Sequence, residues 1–178
     1  MKRDPFFTLL YHDLLIFSKS NNKASKIIFW IKIIHPRFIP VLFIRLAFFL
    51  DKFFLTKPLS YVFTVFNLVL FGIEVTPKCY IGKGLYIPHT FGTVIGARQI
   101  GENVTIFQGV TIGAKYADTN FTINTRPIIG NRVIIGAGAK ILGNISIGND
   151  SIISSNSLVI SNVPDGATMI GVPALMKN

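Results

Sequence analysis

The sequence predicts a mainly β protein, a parallel helix of short strands over residues 73–178 behind an α-helical segment over residues 1–72. Three observations lead there. Aliphatic residues recur every six positions in the C-terminal part, glycine commonly follows them, and the first 72 residues show helical spacing instead.

The six-residue period is clearest at Ile129, Ile135, Ile141, Ile147, Ile153 and Val159, each six after the last. An earlier block shows it at Ile81 and Ile87 and then, after a one-residue slip, at Val94, Ile100, Ile106 and Ile112. Six residues rotate an α-helix by about 600°, so no helix keeps such a stripe on one face. Hairpins need strict alternation and turn pairs that this register does not supply. What fits is a coil in which one aliphatic per hexad points inward and stacks on its equivalents in neighbouring coils. A second inward position, four residues on, is apolar or small: Val133, Ala139, Ile145, Ser151, Ser157 and Val163. Glycines, as in Ile135-Gly136 and Ile147-Gly148, permit the corners. From Gly113 to Pro127 (GAKYADTNFTINTRP) the period fails, and that stretch is expected to leave the coil as a loop.

The N-terminal segment has its own logic. Ile27, Ile28, Trp30, Ile31 and Ile34 recur at helical spacing beside Lys26 and Lys32. His35-Pro36 and Pro40 then punctuate the chain before an apolar stretch from Val41 to Leu50. Leu59 to Ile73 carries no charge but is short for a spanning helix, and is expected to be buried or interfacial. The first residues are basic, yet Asp4, His12 and Asp13 interrupt the apolar region, so no secretion signal is read.

Charge is unevenly placed. Of the net +10, residues 1–78 hold eleven Lys/Arg against four Asp/Glu, and the remainder seven against four. Phe and Trp interleave with those N-terminal cations, which suits an anionic membrane surface better than nucleic acid; no basic recognition motif is present. The mean hydropathy of +0.53 and a hydrophobic content of 50% argue that apolar surface is covered by another subunit or by lipid. One cysteine, Cys79, excludes an internal disulfide and reads as a small buried hydrophobe. A single histidine in the repeat region leaves no set of ligands for zinc, so no metal is expected.

Four strings carry a resemblance: Ile87-Pro88-His89-Thr90-Phe91-Gly92, the run Val104 to Gly113 (VTIFQGVTIG), the run Ile135 to Asn144 (IGAGAKILGN), and Gly171-Val172-Pro173-Ala174. Together they resemble the serine acetyltransferase branch of the hexapeptide-repeat acyltransferases, including relatives that modify capsule and exopolysaccharide. The resemblance implies a left-handed β-helix, a homotrimer and acetyl-CoA as acyl donor. It implies that His89 is the general base and that Glu74, fifteen residues upstream, supports it. Imidazole is the side chain that exchanges a proton at neutral pH, and a carboxylate on its second nitrogen holds the tautomer and favours the imidazolium. Backbone N–H groups at a coil corner would meet the developing oxyanion. Carried over likewise is a CoA groove between subunits at Gly113, Ala114, Gly136, Ala137 and Ser155.

Departures from that pattern shape the expected acceptor. The residue before the histidine, an aspartate in serine acetyltransferases, is Pro88 here, and their Arg-His pair before a proline is replaced by Thr125 and Arg126 before Pro127. The expectation is therefore acetyl transfer to a sugar hydroxyl of a surface polysaccharide or its precursor, with Arg126 either contacting an anionic group of acceptor or CoA or standing solvated. Serine O-acetylation is the alternative, and a non-catalytic β-helix scaffold is the reading from another class. His12 and His35 are read as structural. The helical segment is expected to hold the enzyme at the inner face of the cytoplasmic membrane, or to pack as an assembly element.

Overall fold

A computed structural model describes residues 4–19, 32–118 and 120–177. Its C-terminal part is a three-sided coil whose strands are two to four residues long. The first face stacks β1 (Ile73–Val75), β3 (Thr93–Ile95), β6 (Thr111–Gly113), β9 (Lys140–Leu142) and β12 (Leu158–Val159). A second face stacks β2 (Tyr80–Ile81), β4 (Gln99–Ile100), β7 (Ile128–Ile129) and β10 (Ser146–Ile147). The third stacks β5 (Thr105–Ile106), β8 (Ile134–Ile135), β11 (Ile152–Ile153) and β13 (Thr168–Gly171), and β14 (Ala174–Met176) closes it. Among the described residues every pairing between coils is parallel, and only β13 with β14 is antiparallel.

The period of six sets this register. Ile112 pairs with Ile141 on the first face, Ile100 with Ile129 on the second, and Ile106 with Ile135 on the third, and all six are buried. Each inward aliphatic thus lies over its equivalent, which makes the core a set of aliphatic ladders. Val133, Ala139, Ser151, Ser157 and Val163 are buried at the second inward position, and Ile145 partly so. The expected slip falls one residue off. Val94 points outward at 36% exposure and Ile95 is the buried residue, because β3 is held in register by Ile95 against Ile112. The departure from the coil is where the sequence places it, between β6 and β7, with a short 3₁₀ turn at Ile123–Thr125.

Among the described residues, three α-helices precede the coil: α1 (Phe6–Lys19), α2 (Ile39–Leu50) and α3 (Lys57–Phe71). Pro40 lies in the first turn of α2, where its missing N–H costs no hydrogen bond, so it starts this helix instead of breaking it. Gly72 ends α3 in the left-handed region (φ 62°), and β1 follows at once. Ile27, Ile28, Trp30 and Ile31, with Lys26, lie outside the described residues; Ile34 belongs to a 3₁₀ turn, Lys32–Ile34.

Leu10, Leu14, Phe38, Val41 and Ile44 join Ile73, Ile81 and Leu85 of the coil in one continuous core. A buried ion pair anchors the junction. Arg45 of α2 donates from Nε to Asp13 Oδ2 at 2.7 Å and from Nη2 to Asp13 Oδ1 at 3.0 Å. The same guanidinium donates to the carbonyls of Ile81 and Gly82, while Asp13 Oδ1 accepts the Gly84 and Leu85 N–H groups at 2.8 and 2.9 Å. Both side chains are fully enclosed, and both find the partners that a buried charge requires. The helices are therefore tied to the first coil at a fixed place.

Candidate functional site at a corner of the coil

Where the chain turns from the third face to the first, successive corners stack. Phe91 O accepts the Gly109 N–H at 3.0 Å, Gln108 O the Gly138 N–H at 2.9 Å, and Ala137 O the Asn156 N–H at 2.8 Å. His89, Gln108, Gly136, Ala137 and Ser155 consequently belong to one margin of the coil. The corners are narrow: a Cβ on Gly136 would come within 2.6 Å of the Ser155 backbone nitrogen. Only glycine allows that approach, and the backbone it leaves uncovered is the kind of surface an extended pantetheine arm needs.

His89 is exposed and lines a pocket of about 410 Å³ with Pro36, Arg37, Phe71, Pro88 and Gln108. The helical segment thus supplies one wall. Arg37 lies in the turn that leads into α2 and brings a cation to the lining; Phe71, the last residue of α3, brings an apolar edge. The position of Arg37 was not legible in the sequence, where its only signal was adjacency to His35-Pro36. Gln108 had a better one, being a polar residue at a corner whose counterpart in the next coil is Ala137.

Glu74 lies elsewhere. It points outward from the middle of β1, where the register sets Val94 and not His89 beside it. Within one chain, among the described residues, no hydrogen bond joins Glu74 to His89, and the two line separate depressions. The expected direct pairing is corrected to that extent: fifteen residues fall short of the full coil that would stack one on the other. Glu74 shares a depression of about 360 Å³ with Gly113, Ala114, Tyr116, Phe121 and Arg126, at the opposite margin of the first face. A Cβ on Gly113 would meet nothing within 4 Å, so that strand edge is open.

Arg126 also differs from expectation. Rather than reaching toward solvent or an acceptor, it is buried: Nη1 donates to Gly96 O at 2.9 Å, Nη2 to Asp118 Oδ2 at 3.0 Å, and the guanidinium lies 4.0 Å from the Phe121 ring centre. It pins the extruded loop to the coil. Burial alone would raise the Asp118 carboxyl, but hydrogen bonds from the Thr122 N–H, the Arg126 guanidinium and the Asn120 N–H outweigh it and hold the group below the usual carboxylate range. His35 is engaged structurally, its Nδ1 accepting the Arg37 N–H at 3.2 Å and its ring 5.2 Å from that of Phe17.

A parallel coil of hexads with a lone exposed histidine in a corner pocket defines a repeat-built transferase. In keeping with this, residues 126–161 match the bacterial transferase hexapeptide family (six repeats). A serine acetyltransferase of Helicobacter pylori strain J99 is 40% identical over 146 residues, covering 80% of this chain and 81% of its own. The crystal structure of Neisseria gonorrhoeae serine acetyltransferase in complex with serine superposes with a TM-score of 0.80 at 29% identity, over 97% of this chain and 69% of that one. That of the Brucella abortus enzyme in complex with coenzyme A gives 0.80 at 32% identity, over 94% and 66%. The chain belongs to the serine acetyltransferase family of left-handed β-helix enzymes.

Proposed function

We propose that the chain transfers the acetyl group of acetyl-CoA to the hydroxyl of L-serine, with His89 as general base. It is an O-acetyltransferase and acetyl-CoA is its donor. The acceptor is inferred from the relatives' activity. Serine accordingly replaces the sugar hydroxyl as first reading, since a relative 40% identical over 146 residues carries the name serine acetyltransferase. The observation that carries the site assignment is the placing of His89 in a pocket beside Arg37 and Gln108, on the same margin as the tight Gly136–Ser155 corner.

The chemistry balances with one base. An imidazole nitrogen of His89 takes the proton of the acceptor hydroxyl as its oxygen attacks the thioester carbonyl carbon. The C–S bond then breaks, and the departing sulfur receives the proton from the imidazolium. Arg37 supplies the cation that a serine carboxylate requires, a service the buried Arg126 does not perform.

Gly136, Ala137 and Ser155 on one margin and Gly113 and Ala114 on the other cannot form one groove within a chain. Two copies side by side present opposite margins to each other, and a closed homotrimer does so three times. In that arrangement Glu74 acts across the interface, or on His89 through an intervening group.

A specific observation sustains a second reading, a saccharide acceptor. Pro88 replaces the aspartate that would hold an ammonium group, and Arg126 stands in place of the expected loop histidine but is spent on Gly96 and Asp118. Thiol release from acetyl-CoA, measured against L-serine, nucleotide sugars and oligosaccharides, decides. Serine turnover with kcat/KM of about 10⁴ M⁻¹s⁻¹ or more, together with a raised KM for serine in Arg37→Met, supports the first reading. Turnover of a saccharide alone replaces it with the second.

A further inference from the structure

α3 is built inside out. The residues it buries are polar, Ser60 and Asn67; Ser60 Oγ donates to Ala47 O at 2.8 Å and Asn67 Nδ2 to Pro40 O at 3.2 Å, both carbonyls lying on α2. Its solvent side carries Leu59, Val62, Phe66, Val69 and Leu70, from 40% to 72% exposed. A water-facing helix hairpin does the reverse, burying its apolar stripe. Polar side chains bonding helix to helix while aliphatic and aromatic ones face outward is the arrangement suited to an apolar surrounding.

The turn between α2 and α3 continues the pattern. Phe53, Phe54 and Leu55 stand 54%, 84% and 89% exposed, with Lys52 before them and Lys57 after. Lys52 Nζ lies 4.9 Å from the Phe48 ring centre and 5.8 Å from that of Phe49, a cation held over aromatic faces beside this tip. Asp51 lies beside this turn, Glu74 lines the depression that also holds Asp51 and Lys57, and α3 itself carries no carboxylate.

We propose that the outer face of α3 and the Phe53–Leu55 tip form a docking surface for a bilayer containing anionic lipid. Charge chooses this occupant over a second copy of the chain. Two such faces brought together would oppose lysine to lysine with no carboxylate on α3 to pair with them, whereas an anionic headgroup layer complements Lys52 and Lys57 and the surplus of seven positive charges over residues 1–78. The span Phe54–Phe71 is 18 residues long and mostly unburied. It lies along the interface and does not cross, because Arg45, midway along α2, is bonded to the carbonyls of Ile81 and Gly82 and holds the coil against the hairpin's flank.

The test is flotation of the full-length protein with vesicles of phosphatidylcholine alone or with about one third phosphatidylglycerol. Sedimentation and acetyl-CoA turnover are followed in parallel. Binding is expected only to the phosphatidylglycerol vesicles. It should fall at least about tenfold in the double variant Phe54→Ser with Leu55→Ser, and by a similar factor when Lys52 and Lys57 are both changed to Glu. These exposed positions leave folding, mass and turnover unchanged. Equal binding to both vesicle types, no binding to either, or binding indifferent to the tip variant would each overturn the proposal. A fall in assembly mass in the tip variant would make the face a contact between copies and overturn it equally.

Discussion

Removing Asp13 probes the attachment of the helices to the coil. In Asp13→Ala the Arg45 guanidinium stays buried, keeps the Ile81 and Gly82 carbonyls and loses both carboxylate bonds, at 2.7 and 3.0 Å. The Gly84 and Leu85 N–H groups lose their acceptor at the same time. Stripping one partner from a buried ion pair costs about 3–5 kcal/mol. Each orphaned buried N–H that water does not reach adds about 1–3 kcal/mol. A loss of at least about 4 kcal/mol is therefore expected, a large fraction of the stability of an ordinary domain. Replacing both partners, as Asp13→Ala with Arg45→Met, removes the stranded charge and should cost less than the two single changes summed. Urea unfolding followed by far-ultraviolet circular dichroism gives the three values needed for the cycle. If Asp13→Ala cost under about 1 kcal/mol, or the double change were simply additive, the pair would not be the anchor described here.

His89→Ala should lower kcat by about 10² to 10⁴-fold while CoA binding by calorimetry is retained. Glu74→Gln should reduce kcat less, since Glu74 does not touch His89 within one chain, and near-normal turnover by the His89 variant would mean another base. Arg126→Met should free the extruded loop and speed its cleavage by a protease, with the coil's circular dichroism unchanged. Because the Asp118 carboxyl is held below its ordinary range, its contribution to loop order is complete above the unfolded-state value and lost as pH falls through the folded one. Loop protection should then persist in mild acid and fail only in strong acid, as limited proteolysis across a pH series would read. Burial, the largest influence on Cys79, pushes its thiol up to about 12, so the folded protein should resist iodoacetamide at pH 8 and react once unfolded.

Much of the coil was legible because its determinants are local. One inward residue per hexad and a break at Gly113–Pro127 specify faces, stacking and loop without reference to anything distant. The error at Val94 shows the limit: Val94 stands six before Ile100 and keeps the period, Ile95 only five, yet pairing with Ile112 on the next coil selects Ile95 as the inward residue. His89 could be found through its neighbours in the string, whereas Arg37 reaches the same pocket from a separate element.

The sequence by itself determined the repeat, its inward ladders, the corner histidine and the charge asymmetry, since each is a pattern of residue types along the chain. Tertiary structure alone decided the burial of Arg126 against Gly96 and Asp118, the separation of Glu74 from His89, and the choice of Ser60 and Asn67 as the buried residues of α3. It alone joined Asp13 to Arg45 and to the N–H groups of Gly84 and Leu85. These are contacts between residues far apart in the chain, and the free energy of burying a charge or a polar group depends on which partners the fold carries to it, which no local pattern encodes.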